Sequence, residues 1–531
     1  MVDKMQQDIY QDNVYQPILD ADIYADSKLA LLNEINEIRL DYTPLESHRT
    51  LLLEPKVAII GSGKGVESFI SVLQNTKIQD NAWHITHIQP QDFMGANGNL
   101  GNFTILRAGD SLHSNPLCVS QVVFFTRFDN VARIKGVHFV NEYANANELI
   151  GALSSFVGVY SYEVPLSLNP NICDFHHHRA KADGSGYCAA CVGVCETYGI
   201  FSDERKMEIN LNPLDCVACG ECVSVCPTGA ISRVAESLQS LTLQARMYKG
   251  HIPLVLKDSQ IIEVVEFLKD SKNAKILPFV MGQPHILNEA ICLSLIQESG
   301  SSVLLYGDFT KHNLEAIESI NEVTRCIFGF EALIVASNIT QLQSKIQEHK
   351  VLQSHTHNLA YLYTPNAEES AKEILSARLQ AWVRGAEFGS VNMRSSANIK
   401  VDASKCTLCL SCVEACNTKA LINNNASFEL LFKHSLCTDC GYCVDTCAEK
   451  VITIESNTLH LESASFEYVQ KAYDEPFKCV ECGKIFATTK SIAKIKNILA
   501  SSFSGDDIKL KSIECCADCK VKIIFGPKGN S

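Results

Sequence analysis

The clearest chemical signal in the chain is a group of eight closely spaced cysteines between residues 400 and 456. They form two runs of the pattern C-x2-C-x2-C-x3-C, which are Cys406–Cys416 and Cys437–Cys447. Deprotonated cysteines are soft metal ligands, and a tight loop of this spacing wraps three of them around one iron–sulfur cube. Zinc sites favour separate C-x2-C pairs instead. The pattern therefore predicts [4Fe–4S] clusters.

Each run supplies three of the four thiolates that a cube needs. The last cysteine of a run lies on a segment that cannot reach back to its own cube, so it binds the cube of the other run. We expect one cluster on Cys406, Cys409, Cys412 and Cys447. We expect a second cluster on Cys416, Cys437, Cys440 and Cys443. Interlocked loops would hold the two cubes close enough for electrons to pass between them.

This stretch resembles the bacterial-type two-cluster ferredoxins. The resemblance rests on the doubled cysteine pattern and implies an α+β ferredoxin-like fold, two [4Fe–4S] clusters and a role in electron transfer. The family usually has proline after the last cysteine of a run, whereas this chain has Asn417 and Ala448. The ligands remain in place, and we expect only a looser local turn.

An earlier segment repeats the pattern at a constant offset of 221 positions, as in 409 − 188 and 447 − 226. Seven of the eight cysteines have such counterparts, namely Cys188, Cys191, Cys195, Cys216, Cys219, Cys222 and Cys226. Pro227 follows the last of them, as the ferredoxin family prefers. The same interlocking predicts a complete cluster on Cys195, Cys216, Cys219 and Cys222.

The eighth position holds Ser185, which leaves the fourth site of the chain with Cys188, Cys191 and Cys226 only. A serine alkoxide is a hard donor and a poor match for soft iron. The other outcomes are a substitute ligand, or a site that stays open or loses an iron to become a [3Fe–4S] cluster.

We favour Cys173 as the substitute ligand. It begins the run Cys-Asp-Phe-His-His-His, and the glycines of the loop at 183–186 allow the chain to bend back. One of the histidines, His176, His177 or His178, is the alternative, since imidazole also binds iron. Taken singly, each histidine is expected to be a solvated loop residue.

Two more cysteine pairs lie near the C-terminus, Cys479-x2-Cys482-Gly483 and Cys516-x2-Cys519. Together they offer four thiolates, and glycine after the second ligand is typical of a zinc knuckle. Cys515 stands beside Cys516, which we choose because it keeps the spacing. We expect a small zinc-ribbon-like module with an insertion. A further iron–sulfur cluster is the rival, since thiolates alone do not separate zinc from iron.

Composition limits the remaining possibilities. The chain has 531 residues and a formal net charge of −14, which argues against nonspecific binding of nucleic acid. Its 24 cysteines have metal-binding rather than disulfide spacings. We find neither a signal peptide nor an apolar run of membrane-spanning length. We therefore expect a thiol-reduced, cytoplasmic protein without a membrane span.

The rest of the chain predicts α/β architecture. Strand-like runs occur at 57–60 and 122–125, and residues 250–345 alternate strands with helices, as parallel sheets with crossover helices do. The loop Gly61-Ser62-Gly63-Lys64-Gly65 matches no dinucleotide or phosphate fingerprint, so a tight strand-to-helix turn is favoured over a phosphate site. Asn313 is a predicted N-cap.

Three cysteines fall outside the motifs. Cys292 and Cys326 lie on the apolar faces of predicted helices, so we expect buried structural thiols. Cys118 stands alone and is expected to be a free core or surface thiol.

We expect a multidomain α/β protein with two α+β ferredoxin-like dicluster modules and the C-terminal module. The predicted units are an N-terminal helical segment (1–54), an α/β domain (55–170), a first dicluster module (171–240), a doubly wound-like α/β domain (241–390), a second dicluster module (396–460) and a metal-binding module (470–531).

The clusters favour an electron carrier, or an electron-transfer subunit of an oxidoreductase, that docks to redox partner proteins. A flavin- or nicotinamide-dependent oxidoreductase is the second hypothesis, although no dinucleotide fingerprint follows any strand, so flavin is not expected. A maturation factor for a metalloenzyme is the third. The layout is similar to large bacterial ferredoxin-domain proteins, some linked to formate dehydrogenase systems, which makes a dehydrogenase a candidate partner.

Overall fold

A computed structural model of the protein describes residues 13–21, 23–43, 48–78, 81–109, 116–126, 128, 133–269, 275–348, 359–366, 368–503 and 506–525. All of the cysteine motifs fall within these ranges. None of the helices that they contain is long and apolar enough to cross a bilayer.

A four-stranded parallel sheet forms the N-terminal α/β unit. Its hydrogen-bonded order is Val137–Phe139, Gln121–Phe124, Lys56–Ile60 and His84–Ile88. The two central strands are buried almost throughout, as strands covered on both faces must be. Apolar runs of β-branched and aromatic residues satisfy this requirement.

Different elements cover the two faces of this sheet. Helices Lys64–Asn75 and Ala146–Ser155 pack on one face. An antiparallel meander packs on the other, with strands Phe93–Asn99, Asn102–Arg107 and Leu117–Val119. Strands His48–Leu53 and Gly158–Glu163 form a separate antiparallel pair.

The glycine loop after strand Lys56–Ile60 is a packed turn. A Cβ on Gly61 would lie 2.6 Å from the Cβ of Phe125, so no side chain fits there. Gly63 has a φ of +94°, which an L side chain rarely adopts. Chain geometry therefore accounts for both glycines.

A second parallel sheet forms the central α/β unit, in the order Ile276–Met281, Ile252–Lys257, Val303–Tyr306 and Leu333–Ala336. Its helices are Leu238–Arg246, Ile261–Leu268, Glu289–Ser299, Lys311–Phe328, Ile339–Glu348 and Ala371–Val383. The largest apolar core of the protein lies between these helices and strands.

The N-terminal helices join this central core rather than the sheet that follows them in sequence. Helix Asp26–Asp41 packs on Leu238–Arg246 through buried Leu32 and Ile35. Near helix Gln16–Asp20, the hydroxyl of Tyr24 donates a hydrogen bond to the carbonyl of Ile276 at 2.8 Å.

Two predictions for the central unit are wrong. The N-cap of helix Lys311–Phe328 is Thr310, and Asn313 is the third residue of its capping box. The amide of Asn313 instead bonds loops of neighbouring elements. Cys292 is buried as predicted, but Cys326 is exposed, because it lies in the last turn of the helix outside the apolar core.

The two dicluster modules repeat the same elements at the offset of the cysteines. Hairpin Ile200–Asp203 with Glu208–Leu211 corresponds to Leu421–Asn424 with Glu429–Phe432, since 421 − 200 is 221. Strand Ile231–Arg233 pairs with Leu166–Leu168 in the first module. Its counterpart, Ile452–Glu462, forms a long hairpin with Glu387–Val401, and Val469–Tyr473 extends the smaller sheet.

The C-terminal unit combines a short hairpin with helices. Strands Pro476–Lys478 and Ile485–Thr488 pair across the first cysteine pair. Helices Thr489–Leu499, Asp507–Ile513 and Ala517–Phe525 follow. The second cysteine pair lies at the start of the last helix rather than in a second hairpin, and the ribbon-like classification stays a prediction.

Candidate metal centres

The cysteines of the second module line two separate cavities. The first cavity is lined by Cys406, Cys409, Cys412 and Cys447, here called site D. The second is lined by Cys416, Cys437, Cys440 and Cys443, here called site C. Each cavity thus takes three cysteines from one run and one from the other, which is the grouping that the interlocking rule predicts.

Left-handed backbone residues give the cysteine loops their shape. Gly220 and Gly441 have φ values of +87° and +78°, directly before the short helices that carry the third cysteine of a run. Ala218 and Asp439, also offset by 221, have φ values of +54° and +59°. The backbone N–H of Ala218 points at the sulfur of Cys216 at 3.4 Å. Such N–H···S bonds stabilise thiolate ligands and tune cluster potentials.

The first module groups its cysteines in the same way. Burial raises the pKa of the Cys222 thiol, and Cys219, Cys216 and Cys195 add to the effect because their thiolates are close. These four residues are called site A. The structure therefore places together the cysteines for which the complete first-module cluster is predicted.

Cys173 lies beside the three cysteines of the deficient site. Burial raises the pKa of Cys191, and the neighbouring Cys226, Cys188 and Cys173 raise it further. Cys173 is 7% exposed, and the backbone N–H groups of His176 and Phe175 bond its sulfur. The group Cys173, Cys188, Cys191 and Cys226 is called site B. Site B therefore contains a fourth thiol, although position 185 holds serine.

Two other candidates for the fourth ligand, Ser185 and His176, are engaged elsewhere. The exposed Ser185 donates its hydroxyl hydrogen to Asp183 at 2.7 Å. Nε2 of His176 accepts a hydrogen bond from the backbone N–H of Ile209 at 2.9 Å. His178 is 2% exposed, so the prediction that it is a solvated loop residue is wrong. The side chain of His177 lies outside the described part of the chain.

The buried thiols fit a group that binds them as thiolates. Burial raises the pKa of Cys188, Cys412 and Cys437 to about 12 in each case. A metal ligand must lose its proton, so binding of a metal cluster at these sites releases protons and supplies folding free energy. Without a metal, the sites hold neutral thiols in poorly solvated positions.

The C-terminal cysteines have a tighter geometry than sites A to D. Four sulfurs at this site lie within 4.8 Å of one another, those of Cys479, Cys482, Cys516 and Cys519. Among the described residues, no other group of three or more Cys, His or acidic side chains has its ligand atoms this close together. Zn–S bonds of about 2.3 Å in a tetrahedron imply S–S distances of about 3.8 Å. The sulfurs of Cys482 and Cys516 are 3.7 Å apart. Cys515 instead donates its S–H to the carbonyl of Lys511.

This C-terminal unit packs on the wall of site D. Thr488 donates its hydroxyl hydrogen to the carbonyl of Thr407 at 3.0 Å. Lys494 forms an ion pair with Glu449, which also accepts a hydrogen bond from the Thr407 hydroxyl. Thr407 and Glu449 both line the cavity of site D.

Comparison with known proteins identifies the family of both cysteine modules. Residues 187–230 and 398–448 each match a family described as a 4Fe–4S dicluster domain. An uncharacterized ferredoxin of Methanocaldococcus jannaschii is 43% identical over 44 residues, which are 8% of this chain and 69% of that ferredoxin. The chain belongs to the 4Fe–4S ferredoxin family. The two matched segments contain every cysteine of sites A to D except Cys173.

Sequence reasoning missed the residues that join the two ferredoxin modules. Asp174 lines site C of the second module although it follows Cys173 in the first. Tyr442 packs against His178 with ring centroids 4.4 Å apart and ring planes tilted by 47°. These partners are more than 240 residues apart in sequence, and no local pattern indicates such a contact.

Lys372 is a second missed residue near site C. It is 4% exposed, and its ammonium donates to the carbonyl of Ser395 at 2.7 Å. Burial lowers the pKa of Lys372, whereas the nearby Cys437 thiolate raises it. A buried cation beside a cysteine ligand offsets part of the negative charge of a cluster.

Proposed function

We propose that the protein is an electron carrier, or an electron-transfer subunit of an oxidoreductase system, with one [4Fe–4S] cluster at each of sites A to D. The observation that supports it is the arrangement of 16 cysteines in four groups of four, with Cys173 in place of the ligand that Ser185 cannot provide. Such clusters exchange single electrons at potentials set by burial, charge and hydrogen bonds to sulfur.

Zinc at Cys479, Cys482, Cys516 and Cys519 is part of the same proposal. The short S–S distances support a single tetrahedral ion, because a cube with an iron at each of four corners holds its ligand sulfurs farther apart. A redox partner protein, such as a dehydrogenase, and a cytoplasmic location belong to the proposal as well.

Anaerobic purification followed by metal analysis and EPR tests this function. We expect about 16 irons, about 16 acid-labile sulfides and about one zinc per chain, since a cubane contains four irons. Dithionite should bleach the visible absorbance reversibly and produce signals of reduced [4Fe–4S] clusters. Colourless protein that contains zinc but no sulfide would contradict the proposal, and a bound flavin would favour an enzyme instead of a carrier.

A further inference from the structure

Two of the connections between the ferredoxin modules begin next to predicted ligands. The first is the peptide bond between Cys173 and Asp174. Cys173 belongs to site B, whereas the side chain of Asp174 lines the cavity of site C. Consecutive Cα atoms are about 3.8 Å apart, so the two sites share a wall at this point.

The side chain of Asp174 is hydrogen-bonded to the second module. Its carboxylate accepts a hydrogen bond from the amide of Asn417 at 3.0 Å and another from the hydroxyl of Thr438 at 2.8 Å. Each donor directly follows a cysteine of site C. Asp174 is 3% exposed, so this polar contact is shielded from water.

The second connection is a group of aromatic rings. Tyr187, which precedes Cys188 of site B, packs on Tyr442 with ring centroids 4.7 Å apart. Tyr442 precedes Cys443 of site C. The hydroxyl of Tyr187 donates to Asp445 at 2.6 Å, and His178 packs against both tyrosines.

We propose that this junction makes sites B and C neighbours, so that the four sites form one row in the order A, B, C, D, with Asp174 as a positioning residue shared by B and C. This inference rests on the proposed function. Within each module the row continues, because the short helix that carries Cys222 of site A contacts the one that carries Cys191 of site B. The helices that carry Cys443 of site C and Cys412 of site D contact each other in the same way. An electron crossing the junction oxidises one inner site and reduces the other by one electron, with no bond made or broken.

The charge of Asp174 reaches both inner sites. It directly follows Cys173 of site B, and its carboxylate bonds Asn417 and Thr438, which follow the site C ligands Cys416 and Cys437. Asp439 is a useful contrast, since it directly precedes Cys440 of site C and bonds Ser456 and Asn457 of the same module.

An EPR experiment on the full chain tests whether sites B and C are neighbours. In the double variant Cys219→Ser, Cys409→Ser, sites A and D are removed and one cluster remains in each module. We expect about 8 irons per chain and a reduced spectrum broadened by spin–spin interaction. The matched control Cys219→Ser, Cys440→Ser keeps sites B and D, which are not adjacent in the row, and its signals should be markedly narrower.

A redox titration of the full four-cluster protein gives an independent test. Asp174→Asn removes a negative charge between two sites, so the midpoint potentials of two clusters should rise, whereas Asp439→Asn should raise one. A shift of one potential with Asp174→Asn would overturn the inference, as would narrow, isolated signals in the Cys219→Ser, Cys409→Ser protein at full iron content. Wild-type protein without iron and sulfide would instead reject the proposed function itself.

Discussion

Cys173 lies 12 residues before Ser185, the position at which the cysteine pattern has its gap, yet its sulfur lies beside the other three cysteines of site B. A substitute ligand from outside the motif needs a chain that bends back, and the loop at 181–185 does so with a bond from the N–H of Lys181 to the carbonyl of Ser185. Site B is therefore the one ferredoxin site whose ligands come from three segments of the chain.

Replacing Cys173 with Ser should reduce the iron content from about 16 to between about 12 and about 15 per chain, because without its fourth soft ligand site B loses its cluster or holds a [3Fe–4S] cluster. Iron and sulfide analysis of anaerobically purified protein measures this. Cys118→Ser is the matched control, since Cys118 is exposed and belongs to none of the cysteine motifs, and it should leave iron unchanged. Unchanged iron in the Cys173 variant would show that another group completes site B.

The adjacent Cys515 and Cys516 allow a similar comparison at the C-terminal site. Cys516→Ser should lose the bound zinc, because it removes one of four sulfurs that lie within 4.8 Å. Cys515→Ser should retain it, since that thiol bonds the carbonyl of Lys511. Zinc per chain, measured by mass spectrometry of the intact protein, separates the two. Equal loss in both variants would contradict the assignment.

At the scale of elements, His138 links strand Val137–Phe139 to its neighbour. The amide nitrogen of Gln121 donates to the carbonyl of Leu153, so its oxygen faces His138 Nε2 and accepts that N–H at 3.0 Å. Tyr143 then donates its hydroxyl hydrogen to Nδ1 at 2.7 Å. Both ring nitrogens are satisfied in the neutral form, and burial lowers the pKa of His138 to about 4.

The N-terminal unit should lose stability as the pH falls from about 6.5 to about 4. Within this window the unfolded chain binds a proton at His138 that the folded chain does not, so the free energy of unfolding falls by at most about 3 kcal/mol and then levels off. Urea unfolding followed by Trp83 fluorescence in a Trp382→Phe background measures it, since Trp83 is buried in this unit. His138→Gln should flatten the curve, and an unchanged slope would exclude His138 as its cause.

The sequence predicts these elements unevenly, for physical reasons. Strand Lys56–Ile60 and helix Lys64–Asn75 follow from local hydrophobic patterns, and the cysteine groups follow from ligand spacing, because both depend on nearby residues. The packing of helix Asp26–Asp41 on the central unit depends on residues some 200 positions away. The role of Asp174 could not be predicted from local sequence for the same reason, since its partners Asn417 and Thr438 belong to the other module.

At the scale of the whole molecule, the two modules differ in how much they depend on their clusters. The second module has a small core of its own that includes Cys406, Cys412 and Cys447. Cysteines of the first module join the large central core. Ser224 in its cysteine loop bonds the carbonyl of Leu287 at 2.8 Å and the amide of Asn313 at 3.2 Å.

Loss of the clusters should therefore unfold the second module more completely than the first. We expect oxygen-treated protein to lose hydrogen-exchange protection throughout 398–448 and only partly in 187–230, because metal binding supplies much of the folding free energy of small metal domains. The central sheet should remain protected. Full protection of 398–448 in iron-free protein would contradict this expectation.

The C-terminal unit has a consequence for the end of the proposed row. Its Thr488 bonds Thr407, and its Lys494 forms an ion pair with Glu449. Both partners line the cavity of site D. If zinc holds that unit together, depletion of zinc would open the terminal cluster to solvent and oxidants. Retention of iron at site D, the last site of the proposed row, would then depend on the supply of zinc.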